Sequence, residues 1–428
     1  MSNYDCGAGL DQQFLNQVSK ELYDACYPTF FSGKVNVGKF EIADVKWDIT
    51  QAPVFNLDPS EKAISALKDA VSAELDDMDL VSQLHSYIED EAITFELSVP
   101  AFKVTVETEI GEISPSVQGS IDVYCQAEIT AENKLVGSII KAEINIQAEP
   151  VLQWILNKLV LPIVEEYLNK TLLKGIELPN LPFEGITLST PVAFIENQNL
   201  LAVSALSGVT EPPAEGSPWP KDKLFCLGDS AFVETAAREA VKSLHQSGSI
   251  GESIGPLYFK AGYSIGITNP RVELASGNQF SLGVDAYSSG TFTAGIKFPP
   301  LSFSQTITFR ASPKITAAIS VDASNEVIVT FLSVDDFKVE IDISGIPSWL
   351  KKFMSEILSF LTKNIAQVIG SMLKGYTFNL FKIPQIEINE QDLHLIIEMS
   401  DIGVTTMIDS GNKKLALVSG DVEVKKAG

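Results

Sequence analysis

Hydrophobic positions change period several times along this chain, and each change marks an element. Leu10, Phe14, Leu15, Val18, Leu22 and Cys26 recur at helical spacing, with Gln12, Gln13, Asn16 and Lys20 on the opposite side, so an amphipathic helix opens the chain. Period two takes over next. Phe40 and Ile42, then Val45, Trp47 and Ile49, alternate with a one-residue slip that reads as a bulge. Asp58-Pro59-Ser60-Glu61 has the form of a helix start, with Asp as N-cap, Pro in the first turn and Glu at N3. The helix it opens runs to roughly residue 75, and an acidic stretch continues to residue 91. Long alternating runs then follow at Ile93, Phe95, Leu97 and Val99, at Ile121, Val123, Cys125, Ala127 and Ile129, and at Ile140, Ala142, Ile144 and Ile146. Alternation of this kind, linked by hairpins, predicts a curved antiparallel sheet with one apolar face. A second helix closes the series, with Trp154, Ile155, Leu159, Val160, Ile163, Val164 and Tyr167 as its apolar positions.

The same order then returns. Phe232, Val233, Ala236, Ala240, Val241 and Leu244 form a second opening helix. Alternating runs follow from Phe259 to Ile267, from Phe303 to Phe309, from Ile315 to Val321 and from Phe337 to Ile343. A long apolar helix carries Leu350, Phe353, Met354, Ile357, Leu358, Leu361, Ile365, Val368 and Met372. Leu173-Lys174-Gly175 after the first closing helix matches Leu373-Lys374-Gly375 after the second. Asp11 and Asp229 stand 218 residues apart, whereas Lys174 and Lys374 stand 200 apart, so the first copy carries extra residues between its landmarks, assigned to 58–91. Self-similarity at so long a period is a duplication rather than a solenoid. The expected fold is α+β: two tandem homologous domains, 1–206 and 224–428, each a curved antiparallel sheet wrapped around long amphipathic helices. A stiff proline-rich linker, 207–223, joins them.

Charge narrows the functions this chain can have. The net charge is −24, and residues 1–206 hold 31 acidic side chains, 12 lysines and no arginine, a net of −19. Such a surface repels phosphate backbones, which excludes nucleic acid and leaves a basic protein as a partner for the acidic first domain. Chemistry is sparse. His85, His245 and His394 are the whole histidine supply, and each stands alone. No zinc-protease helix motif, nucleophile elbow or phosphate-binding glycine loop occurs, so no catalytic residue, metal ligand or cofactor is assigned and the chain reads as non-enzymatic. The acidic cluster 74–79 with 89–91 lacks the spacing and central glycine of a calcium loop and reads as a solvated face. Four cysteines (Cys6, Cys26, Cys125, Cys226) are too scattered for a disulfide framework, although Cys6 and Cys26 could pair if the first helix folds back. No apolar run is long enough to span a membrane. The opening residues show no basic and apolar leader. As numbered, the chain is expected to be cytoplasmic, or secreted after loss of a signal or by an unconventional route.

Two stretches carry a family likeness. Leu159-Val-Leu-Pro-Ile-Val-Glu-Glu-Tyr-Leu168, followed by Leu173-Lys-Gly-Ile-Glu-Leu-Pro179, is similar to the closing helix and its exit in the bactericidal/permeability-increasing protein and lipopolysaccharide-binding protein group of the tubular lipid-binding (TULIP) superfamily. The proline-rich linker followed by Leu227-Gly-Asp-Ser-Ala-Phe-Val233 resembles the start of that group's second domain. A weaker likeness, at Val45-Lys-Trp-Asp-Ile49, is to clostridial neurotoxin-cluster accessory proteins of the same fold. The resemblance implies two elongated apolar pockets, one per copy, holding an apolar or zwitterionic lipid. Their walls are assigned to Phe14, Val18, Leu22, Ile155, Leu159 and Ile163 in the first copy. In the second they are Phe232, Ala236, Phe353, Ile357, Leu361 and Ile365. It also implies a cationic first-domain tip in endotoxin-binding members, which this acidic domain lacks. Affinity for lipopolysaccharide or nucleic acid is therefore expected to be negligible at physiological salt. A titration that finds tight binding, weakening steeply with added salt, would reveal a local basic surface. The alternative expectation is an interaction subunit of a larger, toxin-type complex, its seams filled by side chains.

Overall fold

The computed structural model describes residues 2–426 apart from 30, 38–42, 59, 76–77, 109–110, 113–115, 148, 174, 178–185, 222, 298–299, 384 and 391–392. Its strands form three antiparallel sheets. One flanking sheet holds Ser32–Val37, Ala43–Ile49, Thr94–Thr108, Val117–Ile129, Lys134–Asn145 and Ile176–Glu177 in that order, with Val54–Asn56 and Gly111–Glu112 paired to Thr94–Thr108. The other holds His245–Ile254, Leu257–Leu274, Gln279–Ile296, Lys314–Val321, Glu326–Val334 and Thr377–Lys382. In this sheet Gln279–Ile296 changes partner along its length, pairing Leu301–Ala311 through one half and Lys314–Val321 through the other. Register shifts at Val99/Phe102, Tyr124/Cys125, Thr268/Arg271, Thr316/Ala317 and Val327/Ile328 bend the long strands, and this is how flat alternation becomes a curled wall.

The alternating positions face inward as expected: Phe95, Leu97, Val99, Ile121, Val123 and Cys125 are buried in the core, and so are Phe259, Ala261, Ile265, Ile307 and Phe309. The expected bulge at Phe40–Ile42 falls outside the described residues. The helix start near residue 58 is displaced. Ser60 is the N-cap, its side chain accepting from Ala63 N, and the helix is Glu61–Glu74. Ser60 prevails over Asp58 because its hydroxyl also donates to Glu96 and its amide reaches Thr94. The acidic stretch beyond it is a second helix, Met78–Glu91. No helix is described between Ser230–Val241 and Ser348–Lys351, so this helical pair has no counterpart in the second half among the described residues.

The central seven-stranded sheet was not foreseen. It runs Val192–Glu196, Asn199–Ser204, Cys6–Asp11, Leu224–Asp229, Lys414–Lys426, Leu393–Ile408, Ile386–Glu390. Leu10 thus lies in a strand rather than starting a helix, and Asp11 caps the helix Gln12–Cys26 through Gln13 N. Cys6-Gly-Ala-Gly-Leu shows no apolar alternation because the glycines are there for closeness: a Cβ on Gly7 would lie 2.5 Å from the Ala202 carbonyl, and one on Gly9 2.4 Å from the Phe225 ring. One face of this sheet joins the main core. The other carries a smaller core of Tyr4, Leu201, Val203, Trp219, Phe225, Leu227, Leu415 and Leu417. Trp219 belongs to the proline-rich segment, which therefore lies strapped against the sheet.

Lys413 sits where the chain's ends meet. Its ammonium lies 2.8 Å from Asp229 and 3.5 Å from Asp5, donates to the Tyr4 carbonyl and stands 4.5 Å over the Tyr4 ring. Tyr4 in turn donates its hydroxyl to Asp409. Burial pushes the Asp229 carboxyl above its ordinary value, and Lys413 opposes that shift.

A second electrostatic clamp holds the bulge at residues 268–271. The Asp285 carboxylate accepts from Arg271 at 2.9 and 3.2 Å, from Asn269 at 3.1 Å and from Ser312 at 3.0 Å. These donors, Arg271 foremost, hold the Asp285 carboxyl down at about 2. A depressed carboxyl contributes stability above its unfolded value and loses it as pH falls through the folded one. Asp285→Asn is expected to cost about 1 kcal/mol at neutral pH after solvent screening, and nothing below roughly pH 2. Urea melts at both pH values check this; an equal loss at both would remove the carboxylate from the explanation.

Candidate ligand seam

The first helix, Gln12–Cys26, is held from two sides. Its apolar face buries Phe14, Val18, Leu22 and Cys26. On the polar side Gln13 and Lys20 are exposed as periodicity predicts, but Gln12 and Asn16 bind backbone instead. Asn16 exchanges hydrogen bonds with Phe55, at 2.6 Å to its N–H and 3.3 Å to its carbonyl. Gln12 accepts from Leu57 N at 2.7 Å, and Ser19 donates to the Pro53 carbonyl at 2.6 Å. Segment 53–57 thus lies along the helix like an added strand and turns Phe55 and Leu57 inward.

Between this helix and the sheet lies an apolar cavity of about 60 Å³. Phe14, Val18 and Leu22 form its helical wall, and Phe55, Phe95 and Leu135 face them. The closing helix contributes its exit turn, Thr171–Leu173, and the far strand Leu393–Ile408 contributes Ile397. Thr171 spends its hydroxyl on the Tyr167 carbonyl at 2.8 Å, and no charged side chain lines the space among the described residues. Ile163 is half-buried and is not among the described walls. Ile155 and Leu159 are helical, but their side chains lie outside the described residues. Trp154, expected on the apolar face, is 57% exposed.

The closing helix is also broken. Pro150–Ile155 passes into a π-helical turn, Leu156–Val160, before Leu161–Lys170 resumes. Pro162 explains the break: it has no N–H for the ladder, and its ring crowds the carbonyl one turn earlier, so the preceding turn widens.

In the second half the assigned residues are packed more tightly. Phe232, Ala236, Ile357, Leu361 and Ile365 are all fully buried, and Phe353 is half-buried. Ile357, Leu361, Ile365, Ile369 and Leu373 make a single four-residue ridge along Met354–Leu373. This helix packs on strands His245–Ile254, Leu257–Leu274, Glu326–Val334 and Val339–Ile343, whereas Ser230–Val241 packs chiefly on Leu257–Leu274. The two helices meet sheet more than each other. Phe360 stands edge-on to Phe259 at 5.4 Å, and Phe232 lies 6.2 Å from Phe381.

None of the four cysteines is in a disulfide, and all are buried. Burial raises the Cys6 thiol and pushes Cys125 and Cys226 up to about 12, which keeps them protonated and unreactive. His85 is tied to Ser72 and the Lys68 carbonyl, each at 3.1 Å, while His245 and His394 are exposed elsewhere. No helix among the described residues is long and apolar enough to cross a membrane.

No family model and no curated protein matches the sequence. Among solved structures, the fold is similar to P47 from Clostridium botulinum A2, at TM-score 0.42 and 10% identity over 98% of this chain and 97% of that one. It is similar to P47 of Clostridium botulinum E1, at TM-score 0.41 and 9% identity over 99% and 100%. It is also similar to lipopolysaccharide binding protein, at TM-score 0.31 and 10% identity over 98% and 99%. Both groups that the sequence resembles are among them.

Proposed function

We propose that this chain is a non-enzymatic carrier of an elongated apolar molecule, a lipid chain, taken up in the seam between the first helix and its sheet. The observation that carries the reading is the apolar cavity behind Phe14, Val18 and Leu22. Ligand sites usually measure about 300–1,000 Å³. A space of about 60 Å³ is a nucleus for such a site, and uptake has to part the helix from the sheet. The interrupted closing helix and the exit turn beside the cavity supply elements that yield without unfolding. Burying about 10 methylenes at roughly 0.8 kcal/mol each gives about 8 kcal/mol before ordering costs, near micromolar affinity. With no charged group lining the cavity among the described residues, a neutral or zwitterionic headgroup left in solvent suits the acidic surroundings. Native mass spectrometry of protein purified from its own host tests the reading. Co-purifying lipid supports it, and a mass equal to the bare chain in every charge state counts against it.

The tandem-domain reading belongs with this proposal. It draws support from the junction of Cys6–Asp11 with Leu224–Asp229, whose register is Cys6↔Gly228, Ala8↔Cys226, Leu10↔Leu224. Shifting each residue to its partner copy by the Asp11-to-Asp229 interval of 218 returns the same pairs, as a twofold axis through Ala8 and Cys226 requires. We place the domains at 1–206 and 224–428.

A second reading, an interaction subunit with filled seams, is favoured by the complete burial of Ile357, Leu361 and Ile365. It assigns binding to the outside of the molecule.

A further inference from the structure

The central sheet's second face carries an open cleft of about 1,320 Å³, far larger than the apolar cavity. The hairpin tip of Val192–Glu196 and Asn199–Ser204 forms one side, and the proline-rich strap forms the other, with the start of the first helix and Asp58 at its end. The walls are built rather than loose. Glu196 accepts from Ser217 N at 3.1 Å, from Gly216 N and from the Trp219 indole at 2.5 Å, which pins the strap to the hairpin. Trp219 is buried and stacks on Phe225. Among the described residues carboxylates dominate the ionised lining: Asp11, Asp58, Glu196 and Glu215 against Lys221.

One wall residue stands out. Asn199 is 1% exposed, and its Oδ1 has no hydrogen-bond partner, while its Nδ2 donates to the Asn197 carbonyl at 3.0 Å. An unsatisfied buried acceptor costs about 1–3 kcal/mol and calls for a donor. Asp58 and Glu215 are exposed at the mouth and attract the same kind of group. Phe194, Pro212 and Pro218 supply apolar surface of the kind that covers the methylene stem of a long cationic side chain. We propose that this cleft binds an extended basic segment of a partner protein, with a guanidinium or ammonium group entering between Asn199, Asp58 and Glu215. The proposal gives the acidic first half a defined docking site for a basic partner, and it holds whether or not the seam takes lipid.

The test uses the whole chain and a fluorescein-labelled hexapeptide of alternating arginine and alanine, with citrulline in place of arginine as the neutral control. Three variants are titrated. Asp58→Asn with Glu215→Gln removes two charges at the cleft. Asp335→Asn with Asp336→Asn removes two from an exposed loop of the second half. Asn199→Leu replaces the orphaned acceptor by an apolar group of similar size. The expected result is a loss of about tenfold for the cleft pair, less than about twofold for the loop pair, and weakened binding at an unchanged or raised melting temperature for Asn199→Leu. Equal losses from the two charge pairs would reduce the effect to net charge and overturn the site. Wild-type affinity in Asn199→Leu, or equal binding of the citrulline peptide, overturns it as well. Fatty-acid uptake by the cleft pair is expected to stay at the wild-type level, so failure here and failure of the seam are separately visible.

Discussion

Lys413→Met is expected to lower stability by about 3 kcal/mol, the low end of the range for removing one partner of a buried ion pair. The ammonium is the common neighbour of Asp5 and Asp229 and the donor to the Tyr4 carbonyl, so its loss leaves two largely buried carboxylates without their cation. On the proposed division into two domains of roughly 200 residues, the change corresponds to roughly 6–12 °C in melting temperature. Its pH dependence identifies the cause. Asp229 already has a raised carboxyl, so its contribution favours the fold below the unfolded value and is lost as pH rises through the folded one. Removing Lys413 raises that carboxyl further. The deficit of the variant is therefore largest near pH 7 and shrinks toward pH 4, where protonation replaces the missing cation. Melts at the two pH values decide the matter: a deficit that stays constant means lost packing over the Tyr4 ring. Lys413→Met combined with Asp229→Asn is expected to recover part of the loss at pH 7, because an amide needs no counter-charge.

The elements that periodicity predicts best are those with one wet and one dry face. Phe95 to Val99, Ile121 to Ala127 and the stripe Ile357, Leu361 and Ile365 were legible because water on one side forces alternation or a helical stripe. The last turns of that helix, however, bury Ile369 and Leu373 rather than the expected Val368 and Met372. Two kinds of strand escaped. Cys6–Asp11 and Leu224–Asp229 are buried on both faces, and small residues there serve close approach rather than pattern. His245–Ile254 is largely exposed along its length, so nothing in it alternates. The same physics limits the candidate site. Phe14, Val18 and Leu22 could be placed on one helix face from spacing alone, and they line one cavity. Phe55, Leu135 and Ile397, distant in sequence, join them through sheet register and the central sheet, which no local period encodes. The cleft beneath the strap was equally hidden, since proline content marks a stiff segment but not the surface it lies on.

Val18→Trp is expected to abolish most lipid uptake with little loss of stability, and Ile357→Trp to do the reverse. Val18 borders the empty space beside the first helix, so an indole there takes volume that an acyl chain would enter. Filling about 60 Å³ recovers roughly 1.4 kcal/mol at about 24 cal/mol per Å³, and this offsets much of the strain of the larger ring. Ile357 is 0% exposed on the ridge of the second closing helix and borders no described cavity. Overpacking there is expected to cost about 1–3 kcal/mol and to lower the melting temperature. Titration with a fluorescent fatty acid beside thermal melts of the same samples separates the outcomes. A tenfold or greater loss of affinity in Val18→Trp at a near-native melting temperature, about 1.4 kcal/mol or more in binding, places the ligand against the first helix. Loss of affinity in Ile357→Trp alone would move the ligand to the second half and contradict the assignment of the cavity. No uptake by the unaltered chain, with clear melting-temperature drops in both variants, would mean that both seams are packed core. The chain would then act through its surface, as the subunit reading holds.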